Sequence, residues 1–500
     1  MKITVLPEKR ILTVIVFMAA IVFGVTAFNS HGFFHGDEHF QIVEFAGLKL
    51  GTHAPHELVW EFDEKIRPTL QPSICFVLLS LFDTIGIADP YTQMFLLRLM
   101  TALFAVFVIT RLIKATEGHI EDRLKIPYYL LSFFLWFIPF ISVRFSSETL
   151  SALFFVLALT LVLKKLDKPS AYFKVGLLLG VSFLFRFQIA FAIVGLGLWL
   201  LLINRSKLKD ILLLTLAFLI VVMLGTAIDC WFYSELVFTP WNYIKVNIIE
   251  GVAATFSTSP WHYYMEKLVT YPSAFIGIPL ALSIVLVLIA KPKSVVLWCI
   301  VFFTVGHSIF SHKEERFLFP LVYLFPLVLI EGYTIVRRLI SVPLLTKTLG
   351  IVVGVVFIAV NATGLVAMSR KSAGLGRLEI TRHIHQTYGD KPINLIFCKW
   401  ANPYNPWGTP MKFYEEKNIV YREIGNMCEL NDSLLNPRSI NLFALRKIDL
   451  DRKECQEIIS RYKLELDRRS SPHWIERLNS KQVWFENENV FELYSINYSN

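Results

Sequence analysis

Eleven apolar stretches, each 15 to 23 residues long and separated by polar loops, constrain this chain more than any other feature. They run over 11–28, 92–112, 127–142, 149–164, 172–187, 189–203, 210–230, 273–290, 294–309, 317–336 and 344–366. A helix needs about 20 apolar residues to cross a bilayer. Within hydrocarbon every backbone N–H and C=O must find a partner in the protein, so such a chain crosses as helices. The expected fold is an all-α polytopic membrane protein with 11 transmembrane helices, about one per stretch. Composition agrees, with 18% charged residues and a mean hydropathy of +0.52, where soluble domains carry about 25% charge. Residues 172–203 read as two spans, because Arg186 inside one long helix would sit in lipid at high cost.

Charge then orients the chain. Loops 111–126, 164–174, 204–210, 291–293 and 337–347 are rich in Lys and Arg, as is the N-terminus with Lys2, Lys9 and Arg10. The positive-inside rule places them in the cytoplasm, which accounts for the net charge of +9 without a nucleic-acid partner. No convincing small-x-small cleavage site follows residues 11–28, so that stretch reads as a span rather than a signal peptide. Parity works only if the apolar run 70–86 does not cross but lies in the outer interface. Residues 1–367 then form a membrane domain with large outer loops at 29–91 and 231–272. From residue 368 to 500 the chain turns polar and forms a small mixed α/β domain on the non-cytoplasmic side. Strand-like runs fall at 393–398, 418–423, 440–445 and 482–495, and a helical run at 451–466. None of the six cysteines forms a CxxC pair; Cys398, Cys428 and Cys455 fall in this tail, where one disulfide is compatible with the sequence. Sequons occur at Asn431 and Asn497.

The outer face collects the unusual residues. Loop 29–91 carries Asp37 and Glu38 between His35 and His39, then Trp60, Glu61 and Arg67. Short turns hold Arg144 with Glu148, and Arg186 with Gln188. Loop 231–272 adds Trp241, Asn242, Trp261 and His262, and the turn 307–316 reads HSIFSHKEER. An acidic pair at a membrane interface is costly unless it has a task. A carboxylate can act as general base, and clustered Lys and Arg offer a point charge and a fork for a phosphate. Each feature also has a plainer reading. The pair would cap a helix beginning near His39, the cations would pair with Glu314 and Glu315, and the aromatics would form an interfacial belt. His35, Glu38 and His39 match H-x-x-E-H, but a glycine interrupts the pattern at a probable helix start, and no D-x-D stands near it. No metal or other cofactor is expected.

Several segments resemble glycosyltransferase family 22, the polytopic mannosyltransferases. These are HGDEHFQ (35–41), LVWEFDEKIRPTLQP (58–72), SHKEERFLFP (311–320), and TPWNYIKVN (239–247) with SPWHYY (259–264). The last two are most similar to the GPI-anchor branch of that family. RFQIA (186–190) and FCKWANPYNP (397–406) resemble further family segments, the first without its proline and the second with Lys399 in place of a histidine. The resemblance implies a GT-C fold and a polyprenyl-phosphate sugar donor, usually dolichyl-phosphate mannose. It implies a glycolipid or glycan acceptor and an inverting transfer that yields an α-mannoside. In that setting Asp37 is expected as base, with Glu38 orienting the acceptor. His312, Lys313, Arg316 and Arg186 are expected on the donor phosphate. Trp60, Glu61, Arg67, Arg144, Trp261 and His262 are expected on substrate. The active face would be the ER lumen in a eukaryote and the outer face of the cytoplasmic membrane in a bacterium. Competing readings are a bacterial GT-C enzyme moving another polyprenyl-phosphate sugar onto an envelope glycan, and a lipid or glycan flippase. A flippase predicts ionisable residues deep in several spans and inverted repeats, whereas here the charges lie mainly in loops.

Overall fold

The apolar stretches are largely helical in the computed structural model, which describes residues 8–339, 344–373, 376–450, 456–471 and 490–496. Among the described residues, five helical stretches are long and apolar enough to span a bilayer: Arg10–Asn29, Pro90–His119, Leu208–Tyr233, Glu315–Leu339 and Gly350–Arg370. Six shorter apolar helices accompany them, among them Ser147–Leu163, Pro169–Phe185 and Val295–Ile309. The run at 70–86 forms the 15-residue helix Leu70–Thr84, shorter than the roughly 20 residues a full crossing needs. Contacts divide the chain into two units. One comprises residues 1–28, 60–75 and 96–370; the other comprises 29–59, 76–95 and 371–500.

In the first unit, helices pack where small residues let their backbones approach. A Cβ on Gly176 would lie 2.1 Å from the carbonyl oxygen of Leu214, and one on Gly180 would lie 2.7 Å from the Val221 side chain. Helices Pro169–Phe185 and Leu208–Tyr233 are therefore in the close, small-residue contact that substitutes for hydrophobic drive inside lipid. Ser146 caps helix Ser147–Leu163 by accepting from the Thr149 N–H. The stretch 127–142 is not one helix. It breaks into Asp122–Phe134 and Phe137–Ser142, and Asn361 heals the break: its Nδ2 donates to the Phe134 carbonyl at 2.7 Å and its Oδ1 accepts from the Trp136 N–H at 2.9 Å. Irregular backbone at that depth persists because protein satisfies its polar groups.

The second unit contains a five-stranded sheet: β1 (Ile393–Cys398), β2 (Ile419–Ile424), β3 (Ile440–Arg446), β4 (Leu464–Arg469) and β5 (Phe491–Ile496). The order is β2-β1-β3-β5-β4. β1 runs parallel to β2 and β3, and β5 runs antiparallel to β3 and β4. β1 is buried along its whole length, as a central parallel strand should be. Helix Arg377–Tyr388 packs Ile380 and Ile384 into the core formed with Leu395, Phe443 and Leu493. The helical run expected over 451–466 is corrected: helix covers Gln456–Arg461, and 464–466 belongs to β4. Leu464 is buried in the core, the rest of the strand is exposed or half-buried, and its pairing comes from β5, a partner that local periodicity does not reveal. Residues 451–455 and the start of the 482–495 run lie outside the described residues, as do Cys455 and Asn497. Cys428 is disulfide-bonded and Cys398 is buried.

Candidate active site

In the second unit, Asp37 opens a one-turn helix, Asp37–Phe40. Gly36 precedes it without a side-chain capping bond, so the acidic residues begin the turn rather than cap a helix at His39. Glu38 is buried and its Oε2 accepts from the Phe34 N–H at 3.3 Å. The Asp37 side chain is 19% exposed, and its Oδ1 lies 3.4 Å from His35 Nδ1. Of the acidic pair, Asp37 is thus the one a substrate can reach.

The turn is anchored from behind. His39 is sandwiched between the rings of Phe33 and Tyr414, stacked at centroid distances of 5.1 and 5.4 Å. Its Nε2 lies 2.6 Å from Glu44 Oε1, and the other Glu44 oxygen pairs with His53 Nε2. Glu44 Oε1 also accepts from the Phe413 N–H at 3.3 Å. Burial alone would raise the Glu44 carboxyl. Its interactions with His39 and then His53 more than offset that and hold it at about 2. Glu57 joins the same support by pairing with Lys412 and accepting from the Ala54 N–H at 2.8 Å. Neither Glu44 nor His53 stands out in sequence as a site residue.

In the first unit, cations from two separate turns converge on a carboxylate from a third. Glu148 Oε1 lies 2.8 Å from Arg186 Nη1 and 2.8 Å from Arg316 Nη1, with all three side chains buried. The Phe317 ring takes both guanidiniums, at 4.8 Å for Arg186 and 5.3 Å for Arg316. Glu314 binds Arg316 Nε at 2.5 Å and His312 Nε2 at 2.9 Å. The hydrogen bond to Glu314 raises the His312 imidazole above its ordinary range, against burial, which favours the neutral ring. The Lys313 ammonium donates to the carbonyls of Ser259, at 3.0 Å, and Phe310. It thereby ties loop 231–272 to this turn, and burial lowers it from the ordinary lysine range. Glu61 and Arg67 form a pair at 3.5 Å, and Trp60 stacks on Phe256 at 5.8 Å. Arg144 is fully buried, 5.1 Å over the Phe140 ring. Trp261 and His262 meet edge to face at 5.7 Å on the exposed part of loop 231–272. Asp229, in helix Leu208–Tyr233, accepts from the Thr69 N–H at 2.7 Å and from the hydroxyls of Thr69 and Thr239, both at 2.6 Å. That carboxylate pins the end of the Arg67 segment to the start of the Trp241 segment. Among the described residues, no three His, Cys, Asp or Glu side chains are grouped to hold a metal ion.

A bundle of apolar helices bearing a small sheet domain, with an acid in the first large loop and a buried arginine pair, defines a class: membrane glycosyltransferases of the GT-C fold. The arrangement is similar to the crystal structure of ArnT from Cupriavidus metallidurans bound to undecaprenyl phosphate, with TM-score 0.51 over 98% of each chain at 13% identity. The sequence profile of the Alg9-like mannosyltransferase family matches residues 13–401, and the chain belongs to that family. It is 27% identical over 350 residues to GPI mannosyltransferase 3 of Candida albicans, covering 69% of this chain and 68% of that one. It is 25% identical over 416 residues to GPI mannosyltransferase 3 of Drosophila melanogaster, covering 79% and 68%. With GPI alpha-1,2-mannosyltransferase 3 of Danio rerio the identity is 24% over 277 residues, 53% of this chain and 49% of that one. The protein is a glycosyltransferase of the mannosyltransferase type, embedded in a membrane through many helices.

Proposed function

We propose that the protein transfers mannose from a polyprenyl-phosphate mannose, dolichyl-phosphate mannose in a eukaryote, to a glycolipid or glycan acceptor of the GPI type. In the proposed reaction the Asp37 carboxylate takes the proton from an acceptor hydroxyl. That oxygen attacks C1 of the mannose from the face opposite the phosphate. The C1–O bond breaks and its electrons leave on the polyprenyl phosphate, inverting a β-linked donor to an α-mannoside. One carboxylate suffices, because a phosphate departs without being protonated by a second acid. Glu38 orients the acceptor. Arg186, Arg316 and His312 face the charge that develops on the phosphate, with Lys313 holding their turn in place. Trp60, Glu61, Arg67, Arg144, Trp261 and His262 serve substrate binding. No metal or further cofactor enters this scheme.

The observation that carries the reading is the build of the first outer loop: a reachable Asp37 on a single turn, clamped through His39 and Glu44. General-base catalysis needs a carboxylate held in one geometry. The Cys428 disulfide supports a non-cytoplasmic sheet domain, since disulfides persist in oxidising compartments. The test is transfer of labelled mannose from polyprenyl-phosphate mannose by membranes carrying wild-type protein or Asp37→Asn, with insertion verified for both. Loss of roughly a hundred-fold or more in Asp37→Asn is expected. Equal activity would sink the assignment of Asp37, and transfer of a different sugar by the wild type would replace mannose as the donor sugar.

A further inference from the structure

β1 and β2 run parallel, so the chain must return along the sheet between Cys398 and Ile419. A crossover of this kind is usually a helix. Here Pro403, Pro406, Gly408 and Pro410 work against one. Residues 399–418 instead form a loop that holds two short 3₁₀ turns, Pro406–Gly408 and Lys412–Tyr414. Connections beyond roughly 15 residues without regular structure are uncommon in a compact unit, and those that occur are mostly functional.

The second half of this loop grips the segment that carries and follows Asp37, all within the second unit. The Lys412 ammonium pairs with Glu57, the Phe413 N–H donates to Glu44 Oε1 at 3.3 Å, and the Tyr414 ring stacks on His39 at 5.4 Å, 17° from parallel. Tyr414 is buried, and His39 shares its single helical turn with Asp37. The grip is itself secured. Glu416 pairs with Nδ1 of His385, in the last turn of helix Arg377–Tyr388. His385 Nε2 lies 2.9 Å from Asp89 Oδ1, and the other Asp89 oxygen accepts from the Thr92 N–H at 2.7 Å. The Tyr91 ring fills the space between, 5.2 Å from the His385 ring and 5.0 Å from that of Tyr414. The hydrophobic core of the sheet is built from other residues, Ile384, Leu395 and Phe443 among them.

We propose that residues 412–416 are a strap that positions the catalytic turn, with Tyr414 and His385 as positioning residues that act through His39 on Asp37. The inference rests on Asp37 as the base. It gives the sheet of the second unit a part in the chemistry. A single helical turn does not persist alone, because its one or two hydrogen bonds do not offset the cost of fixing its backbone. A reacting group displaced by about 1 Å can lose roughly a hundred-fold in rate. The strap supplies the fixed geometry that the turn cannot supply for itself.

The full-length protein in detergent serves for the test. Tyr414→Leu keeps apolar bulk without the flat ring, Tyr414→Phe keeps the stack, and His385→Phe keeps the ring against Tyr91 without the nitrogens. Tyr414→Leu should lower kcat roughly ten-fold, the weight of one aromatic pair, with both KM values within about two-fold. Tyr414→Phe should recover most of that loss, and His385→Phe should lower kcat roughly three-fold, as one partly exposed ion pair does. In an Asp37→Asn background Tyr414→Leu should cost nothing further, because the strap acts through that carboxylate; an undiminished ten-fold loss there would overturn the proposal. Amide hydrogen exchange over residues 35–42 should quicken roughly ten-fold in Tyr414→Leu, with β1 and β3 unchanged. Equal exchange at 35–42 in wild type and variant would overturn the strap. So would a rise spread over β1 and β3, which would make Tyr414 an ordinary packing residue. If the wild type transfers no mannose, the proposed function falls, and the exchange comparison still decides whether the strap holds the turn.

Discussion

Glu44 offers the sharpest test of how the Asp37 turn is held. Glu44→Gln keeps the shape of the side chain but removes the charge that joins His39 to His53. The Glu44 carboxyl is 3% exposed and sits at about 2, against an ordinary value of 4.5. That difference is worth about 3 kcal/mol at neutral pH, taking ~1.4 kcal/mol per unit. The figure matches the range of about 3–5 kcal/mol for breaking one side of a buried ion pair. The sign follows from a carboxyl whose folded value is depressed: the stabilisation is complete above the unfolded value and disappears as pH falls through the folded one. It should therefore be full at pH 7 and shrink as pH drops from about 5 towards 2. The assay is amide hydrogen exchange on peptides covering helix Val43–Leu50, comparing variant and wild type at each pH. At pH 7 the variant should lose roughly a hundred-fold in protection. Equal protection would refute the reasoning. So would a gap of the same size at pH 3, since a charge-based effect must narrow there.

Two further predictions concern the first unit. Glu148→Gln leaves the Arg186 and Arg316 guanidiniums without the oxygen both now share at 2.8 Å. Mannose transfer should fall roughly a hundred-fold through misplacement of the two forks, with partial recovery in Glu148→Asp; activity within two-fold of wild type would remove Glu148 as a positioning residue. Asp229→Asn turns one acceptor oxygen of a triply bonded carboxylate into a donor facing a hydroxyl. Thermal unfolding in detergent should show a loss of about 2–3 kcal/mol, and an unchanged melting temperature would show that the pin between the Arg67 and Trp241 segments is dispensable.

The cation cluster shows how buried charge is brought together in such a chain. Arg186 follows helix Pro169–Phe185, Arg316 opens the segment after helix Val295–Ile309, and Glu148 lies in the first turn of Ser147–Leu163. Each charge stands at the end of an apolar helix, where a membrane chain can keep it at least cost. Stacking the helices brings the ends together, and mutual neutralisation plus a shared face of Phe317 then makes burial tolerable. At the same turn the Lys313 ammonium donates to two backbone carbonyls.

What the sequence determined alone is the part of the protein governed by local rules. Hydrocarbon demands helix wherever about 20 apolar residues run together, so the order and approximate limits of most apolar helices followed from hydropathy, the break in 127–142 excepted. The strands β1, β2 and β3 followed likewise from short apolar runs bounded by turn residues. The acidic pair and the HKEER turn were visible because motifs are contiguous. Tertiary structure alone decided the rest, and in each case the partners lie far apart along the chain. Arg316 meets Glu148 across 168 positions, Thr69 meets Asp229 across 160, and Asn361 mends a helix break 227 residues away at Phe134. Neither β4 as an edge strand nor Glu44 as the anchor of His39 has a local signature, because both exist only through what they pair with. Periodicity reports which face of an element is buried; it carries no information about which distant group will satisfy a buried charge or a broken backbone, and that matching is made only when the helices and strands pack.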